Sequence, residues 1–174
     1  MKHINIQLKQ SRGFTLLEAL LGFLILSIGM LGIASLQAVS LKAGKTSVYG
    51  SVAMMKVEEL FESMRANPSA IALAAYTTAG AGANNGCAGG ATSCTPAALA
   101  VEDVFWWRTN LAAGLPGTVG TGIGTSIVLI PAVAPSNMAT MTIAVTWSER
   151  SKDNIGSVNK GFTSVTNICT GVPC

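Results

Sequence analysis

Few residues in this chain are equipped for covalent chemistry. The only histidine is His3, and the four cysteines are Cys87, Cys94, Cys169 and Cys174. Serine or cysteine hydrolysis needs a base beside the nucleophile, most often a histidine. His3 lies in a short basic segment ending at Gly13, and no other histidine follows it. A zinc site would therefore have to be built from cysteine alone, and neither cysteine pair has C-x-x-C spacing. Gly44-Lys45-Thr46 copies the end of a phosphate-binding loop, but the first glycine of that pattern would fall at Val39 and no strand precedes it. Gly80-Ala81-Gly82 lacks the strand and helix of a dinucleotide fingerprint. Glu58 and Glu62 sit one helical turn apart and read as a solvated face. The expectation is a non-enzymatic chain with no metal and no cofactor. One charge demands a different explanation: Glu18, at the head of a long apolar run.

Ala19–Leu41 contains 23 residues and no charge. As a helix it would reach roughly 34 Å, enough to cross a hydrocarbon core of about 30 Å. Lys2, Lys9 and Arg12 precede it with no acid among them, which favours a cytoplasmic N-terminus and a body on the far side of the membrane. A secretory signal peptide has an apolar stretch of only about 7–15 residues and a small-residue cleavage site. This run is longer, and Ala38-Val39-Ser40 is a poor site of that kind. A plain anchor does not account for Glu18, because a carboxylate costs about 2.5–3.5 kcal/mol at the bilayer centre. An intramembrane carboxylate calls for a positive partner, and no Lys or Arg lies within two turns on its C-terminal side.

The overall charge belongs to the same leader. The chain has 174 residues, 11% of them charged and 49% hydrophobic, and a formal charge of +3. This length suits one ordinary domain, and the composition excludes a disordered acidic tail. From Phe14 onward eight basic residues are balanced by eight acids. The body is neutral, so the basic excess is not a footprint for nucleic acid.

Gly13-Phe14-Thr15-Leu16-Leu17-Glu18-Ala19-Leu20 resembles the type IV prepilin (class III) signal: a short basic leader ending in Gly, then Phe, with Glu as the fifth residue after the cut. The resemblance implies cleavage of the Gly13–Phe14 bond by prepilin peptidase and N-methylation of Phe14. The new amine of one subunit would then compensate Glu18 of its neighbour, inside the membrane and during assembly. Gly13 suits a protease cleft because it permits close backbone approach. Many major pilins have a proline within this helix. Here none occurs between Phe14 and Asn67, and Gly22, Gly29 and Gly32 are the soft positions of the apolar run.

The elements that follow fit the same plan. Ala53, Met54, Val57, Leu60, Phe61 and Met64 recur at helical spacing, with Met54, Met55 and Met64 read as ordinary core packing. Asn67-Pro68 ends this helix. Residues 1–13 are then a leader, 14–41 a membrane or filament-core half-helix, 42–67 an amphipathic half-helix, and 68–174 a periplasmic globular domain. Thr77–Thr95 is a Gly-rich loop without charge. A second helix is expected over Pro96–Ala113, with Thr95 as N-cap and Ala100, Val104, Trp107 and Leu111 on one face, flanked by Phe105 and Trp106. Ser126–Val133 reads as a buried strand. Met141, Ile143, Val145 and Trp147 alternate with Thr142, Ala144, Thr146 and Ser148 as a half-buried one. Glu149–Lys160 reads as a polar turn region and Gly161–Ile168 as a last strand. The expected class is α+β: a long N-terminal spine helix packed on a small antiparallel sheet, as in type IV pilins.

Val57–Pro68 (VEELFESMRANP), the Trp106-Trp107 pair, Leu115-Pro116-Gly117 and Thr142–Trp147 (TIAVTW) together resemble PilV-type minor pilins. That resemblance implies a subunit that primes type IV pilus assembly near the tip and supports adhesion and twitching motility. Its partners would be prepilin peptidase, other minor pilins, the major pilin, the inner-membrane assembly platform and a tip adhesin. The chain would be a single-pass inner-membrane protein before assembly and part of the surface pilus afterwards. The same leader also fits a pseudopilin of a type II secretion system, and a membrane-anchored periplasmic enzyme or binding module is the third reading. An oxidising compartment with an even cysteine count favours disulfides. Four cysteines allow three pairings; the local one, Cys87–Cys94 with Cys169–Cys174, closes two short loops and is preferred over zinc.

Overall fold

The computed structural model describes residues 14–88, 93–151 and 156–174. Two compact units divide the chain, Met1–Gly44 and Lys45–Cys174. Helix α1 (Leu16–Ala66) contributes residues to both. It begins where Thr15 can satisfy the free amides of a first turn. The Thr15 hydroxyl accepts the Glu18 N–H at 3.3 Å, and its carbonyl accepts the N–H groups of Glu18 and Ala19. In the first unit the large apolar side chains from Leu16 to Leu41 are exposed on every side of the helix. A helix apolar all round is built for a lipid or protein surround rather than for water. Among the described residues α1 is the one helix long and apolar enough to cross a membrane.

In the second unit α1 becomes one-sided. Ala53, Val57, Leu60, Phe61 and Met64 are buried along one stripe. Met54 and Met55 are exposed, contrary to the core role expected of them. At about 100° per residue, a position next to Ala53 already points away from the stripe. Asn67 ends α1 by donating to the carbonyls of Ser63 and Met64, and Pro68 prevents continuation. A further helix, α2 (Ala70–Thr78), follows at once and was not anticipated. Ser69 caps it by accepting the Ala72 N–H at 3.3 Å, and its alanine-rich body has high helix propensity.

Helix α3 (Pro96–Gly114) starts as expected. Thr95 Oγ1 accepts the Ala98 N–H at 3.2 Å and Pro96 takes the first turn. Its core face holds Ala100, Val104, Trp107 and Leu111, and one unexpected carboxylate, Glu102, is buried on the opposite side of the helix. Gly114 marks a tight approach to α1, since a Cβ there would lie 2.7 Å from Val52 Cγ1. The second-unit part of α1, with α2 and α3, shares a single core with the sheet.

The sheet runs β1 (Thr118–Val119), β2 (Gly122–Ile130), β3 (Met138–Arg150) and β4 (Ser157–Cys169), in that spatial order. β2–β3 and β3–β4 are antiparallel, with Ile143 opposite Ile127 on one side and Ser164 on the other. β1 pairs parallel with β2, so the sheet is mixed rather than purely antiparallel. Its inner face buries Ile123, Ala139, Met141, Ile143, Val145, Trp147 and Ile168. The expected strand at Ser126–Val133 lies four residues earlier at its start and is not buried on both faces: Val128 and Ile130 are exposed. The helices cover only one side, so alternate residues of even an apolar run face outward. Among the described residues of the polar Glu149–Lys160 region, both ends are strand rather than turn. β3 continues to Arg150 and β4 begins at Ser157, with Trp147 paired to Lys160.

Candidate functional site

Phe14 and Glu18 stand at the head of α1. Phe14 is 74% exposed, ahead of the first helical residue, and Glu18 is exposed within the first turn. Helix geometry gives Glu18 a local role, because a carboxylate in the first turn complements the helix dipole, worth about 0.3–1 kcal/mol. Among the described residues of the first unit, 14–44, there is no histidine and no cysteine. The chemistry available here is presentation: an exposed aromatic side chain ahead of the helix, one carboxylate and a continuous apolar stem. Gly13, His3, Lys2, Lys9 and Arg12 lie outside the described residues.

The cysteines are paired locally. Cys87 is bonded to Cys94 and Cys169 to Cys174, with Cα separations of 5.7 and 5.9 Å. These leave no free cysteine among the described residues and no cluster of three or more metal-ligating side chains. The C-terminal pair is tied to the β2–β3 connection by Asn137. Its side-chain amide donates to the Pro173 carbonyl at 2.7 Å, and its carbonyl accepts the Thr170 N–H at 2.9 Å.

Around Cys87 the structure builds a polar anchor. Glu102 is buried on α3, and its carboxylate accepts three backbone N–H groups of the Gly-rich loop: Asn85 and Cys87 at 2.8 Å and Ala88 at 3.0 Å. The hydrogen bond from Cys87, followed by those from Ala88 and Asn85, holds this carboxyl below the usual carboxylate range against the opposing effect of desolvation. Asn85 also donates its side-chain amide to the Ala98 carbonyl at 2.9 Å. Gly82 lets the loop lie against α3. Its φ is +74°, and a Cβ there would sit 2.4 Å from Phe105 N. The loop that lacks large apolar residues of its own is thus held through α3.

Asp103, the next residue, turns toward α2 and accepts the Tyr76 hydroxyl. Burial, with Glu102 nearby, pushes the Asp103 carboxyl up, while the Tyr76 hydrogen bond works the other way. Burial, together with Asp103, pushes the Tyr76 hydroxyl up. Two adjacent acids therefore have opposite shifts, set by what each faces. At the other end of the sheet Glu149 accepts the Trp147 indole N–H at 2.6 Å and the Thr46 hydroxyl at 2.7 Å, joining α1 to β3. Arg65 connects the end of α1 to Glu62 and to Thr166 of β4. By sequence, Glu62 reads as part of a solvated face with Glu58 and Glu149 as the start of a polar turn region, while Glu102 and Asp103 enter only as balancing charge. No sequence signal marked Glu102: at about 100° per residue it lies opposite the Ala100, Val104 and Trp107 stripe, where an acid reads as solvated.

A pH dependence follows. A carboxyl with a lowered folded value contributes its full stabilisation above the ordinary range and loses it as the pH falls through the lowered value. In an acid titration the amide resonances of Asn85, Cys87 and Ala88 are expected to shift together. In Glu102→Gln they should not titrate, and their protection from hydrogen exchange should fall at least severalfold. Unchanged protection in that variant would remove Glu102 as the anchor.

A protein-family model described as "Prokaryotic N-terminal methylation motif" matches residues 8–34, a span covering Phe14, Glu18 and the apolar start of α1. No curated protein and no solved structure matches the chain. With a long apolar helix whose Ala53–Met64 stripe shares a core with a small mixed sheet, the motif supports a type IV pilin-like protein, a pilin or a pseudopilin, anchored in a membrane and handled by prepilin peptidase.

Proposed function

We propose that this chain is a minor pilin, cleaved between Gly13 and Phe14, N-methylated on Phe14, and incorporated at low copy near the tip of a type IV pilus. The observation that carries the reading is the methylation motif running directly into a helix that is exposed and apolar from Leu16 to Leu41, then one-sided from Ala53 to Met64. Such a helix offers a stem for lateral packing in a membrane or filament, and a second half that holds a head. The resemblance of Val57–Pro68 and Thr142–Trp147 to PilV-type minor pilins favours a priming role with other minor pilins and the major pilin. In this reading the head faces the periplasm before assembly. Adhesion and twitching motility follow from assembled pili.

The test has two steps. Intact-mass and N-terminal analysis of the protein from cells with and without prepilin peptidase should show methylated Phe14 as the first residue only when the peptidase is present. A chain retaining residues 1–13 in its presence would sink the pilin reading. In a deletion strain, loss of surface pili with normal exoprotein secretion is expected. The reverse pattern would assign the protein to a type II secretion system as a pseudopilin.

A further inference from the structure

A cavity of about 600 Å³ opens in the head between α3 and the β1–β2 corner. Phe105, Ala112, Val119 and Ile123 supply apolar wall, Thr125 a hydroxyl, and Arg108 the one charged side chain of the lining. Arg108 is half-buried, and one terminal nitrogen of its guanidinium donates to Thr125 Oγ1. Its Nε is buried without a hydrogen-bond partner. The ion pairs among the described residues are Lys56–Glu59 and Arg65–Glu62, and neither involves Arg108. Burial pushes the guanidinium down from its ordinary value, yet at neutral pH it stays a cation.

A half-buried guanidinium whose Nε is left without a partner is an unusual thing for a fold to keep. Its planar fork matches a carboxylate in two parallel hydrogen bonds. A single cation in an otherwise neutral lining balances one negative charge, which disfavours a phosphate dianion. The volume lies within the range of about 300–1,000 Å³ typical of small-ligand sites, and such sites combine apolar walls with a few polar groups. We propose that this cavity binds a carboxylate carried on a small apolar body. The Arg108 guanidinium takes the carboxylate, and Phe105, Val119 and Ile123 take the apolar part. The carboxylate can come from a free organic acid or from the terminus of a peptide, and the two sources share this chemistry.

The experiment titrates the full-length chain, in micelles of an uncharged detergent, with benzoate, N-acetyl-leucine, leucinamide and inorganic phosphate, by calorimetry. Saturable binding of benzoate or N-acetyl-leucine is expected, weakened about tenfold or more in Arg108→Gln, as for loss of a charged hydrogen bond, and partly retained in Arg108→Lys. Tighter binding of benzoate points to a free acid, and tighter binding of N-acetyl-leucine to a peptide terminus. Near-UV circular dichroism checks that the variants fold. Ala112→Leu, which keeps the cation and fills the cavity, should weaken binding as well and serves if Arg108→Gln does not fold. The proposal is overturned if neither carboxylate saturates, if Arg108→Gln and Ala112→Leu bind like the wild type, if leucinamide binds as well as N-acetyl-leucine, or if phosphate alone binds.

Discussion

Glu18→Ala should be cleaved and methylated much like the wild type yet be recovered in sheared filament fractions at a level lower by at least about tenfold. The expectation rests on the proposed pairing of Glu18 with the amine that cleavage exposes on a neighbouring subunit. Removing one member of a buried ion pair leaves the other uncompensated, at a cost of about 3–5 kcal/mol. Since about 1.4 kcal/mol is tenfold in an equilibrium, even half of that cost suffices. The local role of Glu18 sets the control. In the first turn of α1 its charge also favours the helix N-terminus, but by only about 0.3–1 kcal/mol, too little for such a loss. Glu18→Asp keeps both charge and dipole contribution and should recover part of the incorporation. Wild-type recovery of Glu18→Ala in filaments would exclude the pairing, whatever the variant's helicity.

The neighbouring tryptophans of α3 should respond very differently to truncation. Trp107 is 2% exposed and donates its indole N–H to the Lys56 carbonyl of α1 at 2.7 Å. Trp107→Ala removes a large ring from the shared core and that hydrogen bond, and a loss of about 3–5 kcal/mol is expected. Trp106 is 43% exposed, with its ring edge-on to Phe105 at 5.1 Å between centroids. Trp106→Ala should cost about 1 kcal/mol or less, in keeping with a surface site that keeps one aromatic contact. Denaturant unfolding of the two variants, followed by circular dichroism, measures the difference. Equal losses would contradict the assignment of Trp107 to the core and Trp106 to the surface.

Both predictions draw on features of very different visibility. The spacing Val57, Leu60, Phe61, Met64 and the alternation Met141, Ile143, Val145, Trp147 were legible because burial on one face writes its period directly into the residues. The caps at Thr95 and Pro96 were equally legible, since the first turn's free amides need a local acceptor. Helix α2 was not. It is short, lies beside the Gly-rich loop, and depends on Ser69 as its cap and on the cover of α3 and β2. The apolar residues of β2 suggested burial on both faces, but nothing in that strand reveals that helices cover only one side of the sheet. Met54 and Met55 misled for the same reason: apolar type alone does not choose a face.

By itself the sequence determined the methylation motif, the membrane-length stem, the helix stops and the inward residues of β3, because each rests on local residue type or on a repeat period. The compensated charge of the body after Phe14 was equally a matter of counting. Only the tertiary structure decided what the acids after Glu18 do. Glu102 meets the amides of residues 85, 87 and 88, Asp103 meets Tyr76, and Glu149 meets Thr46 across more than a hundred residues of chain. Buried polar groups find partners by proximity in space, and a carboxylate shows no periodic signature of the donors it will reach. The same holds for Arg108: its sequence neighbours are ordinary helix residues, and its unspent donors appear only where α3 crosses the β1–β2 corner.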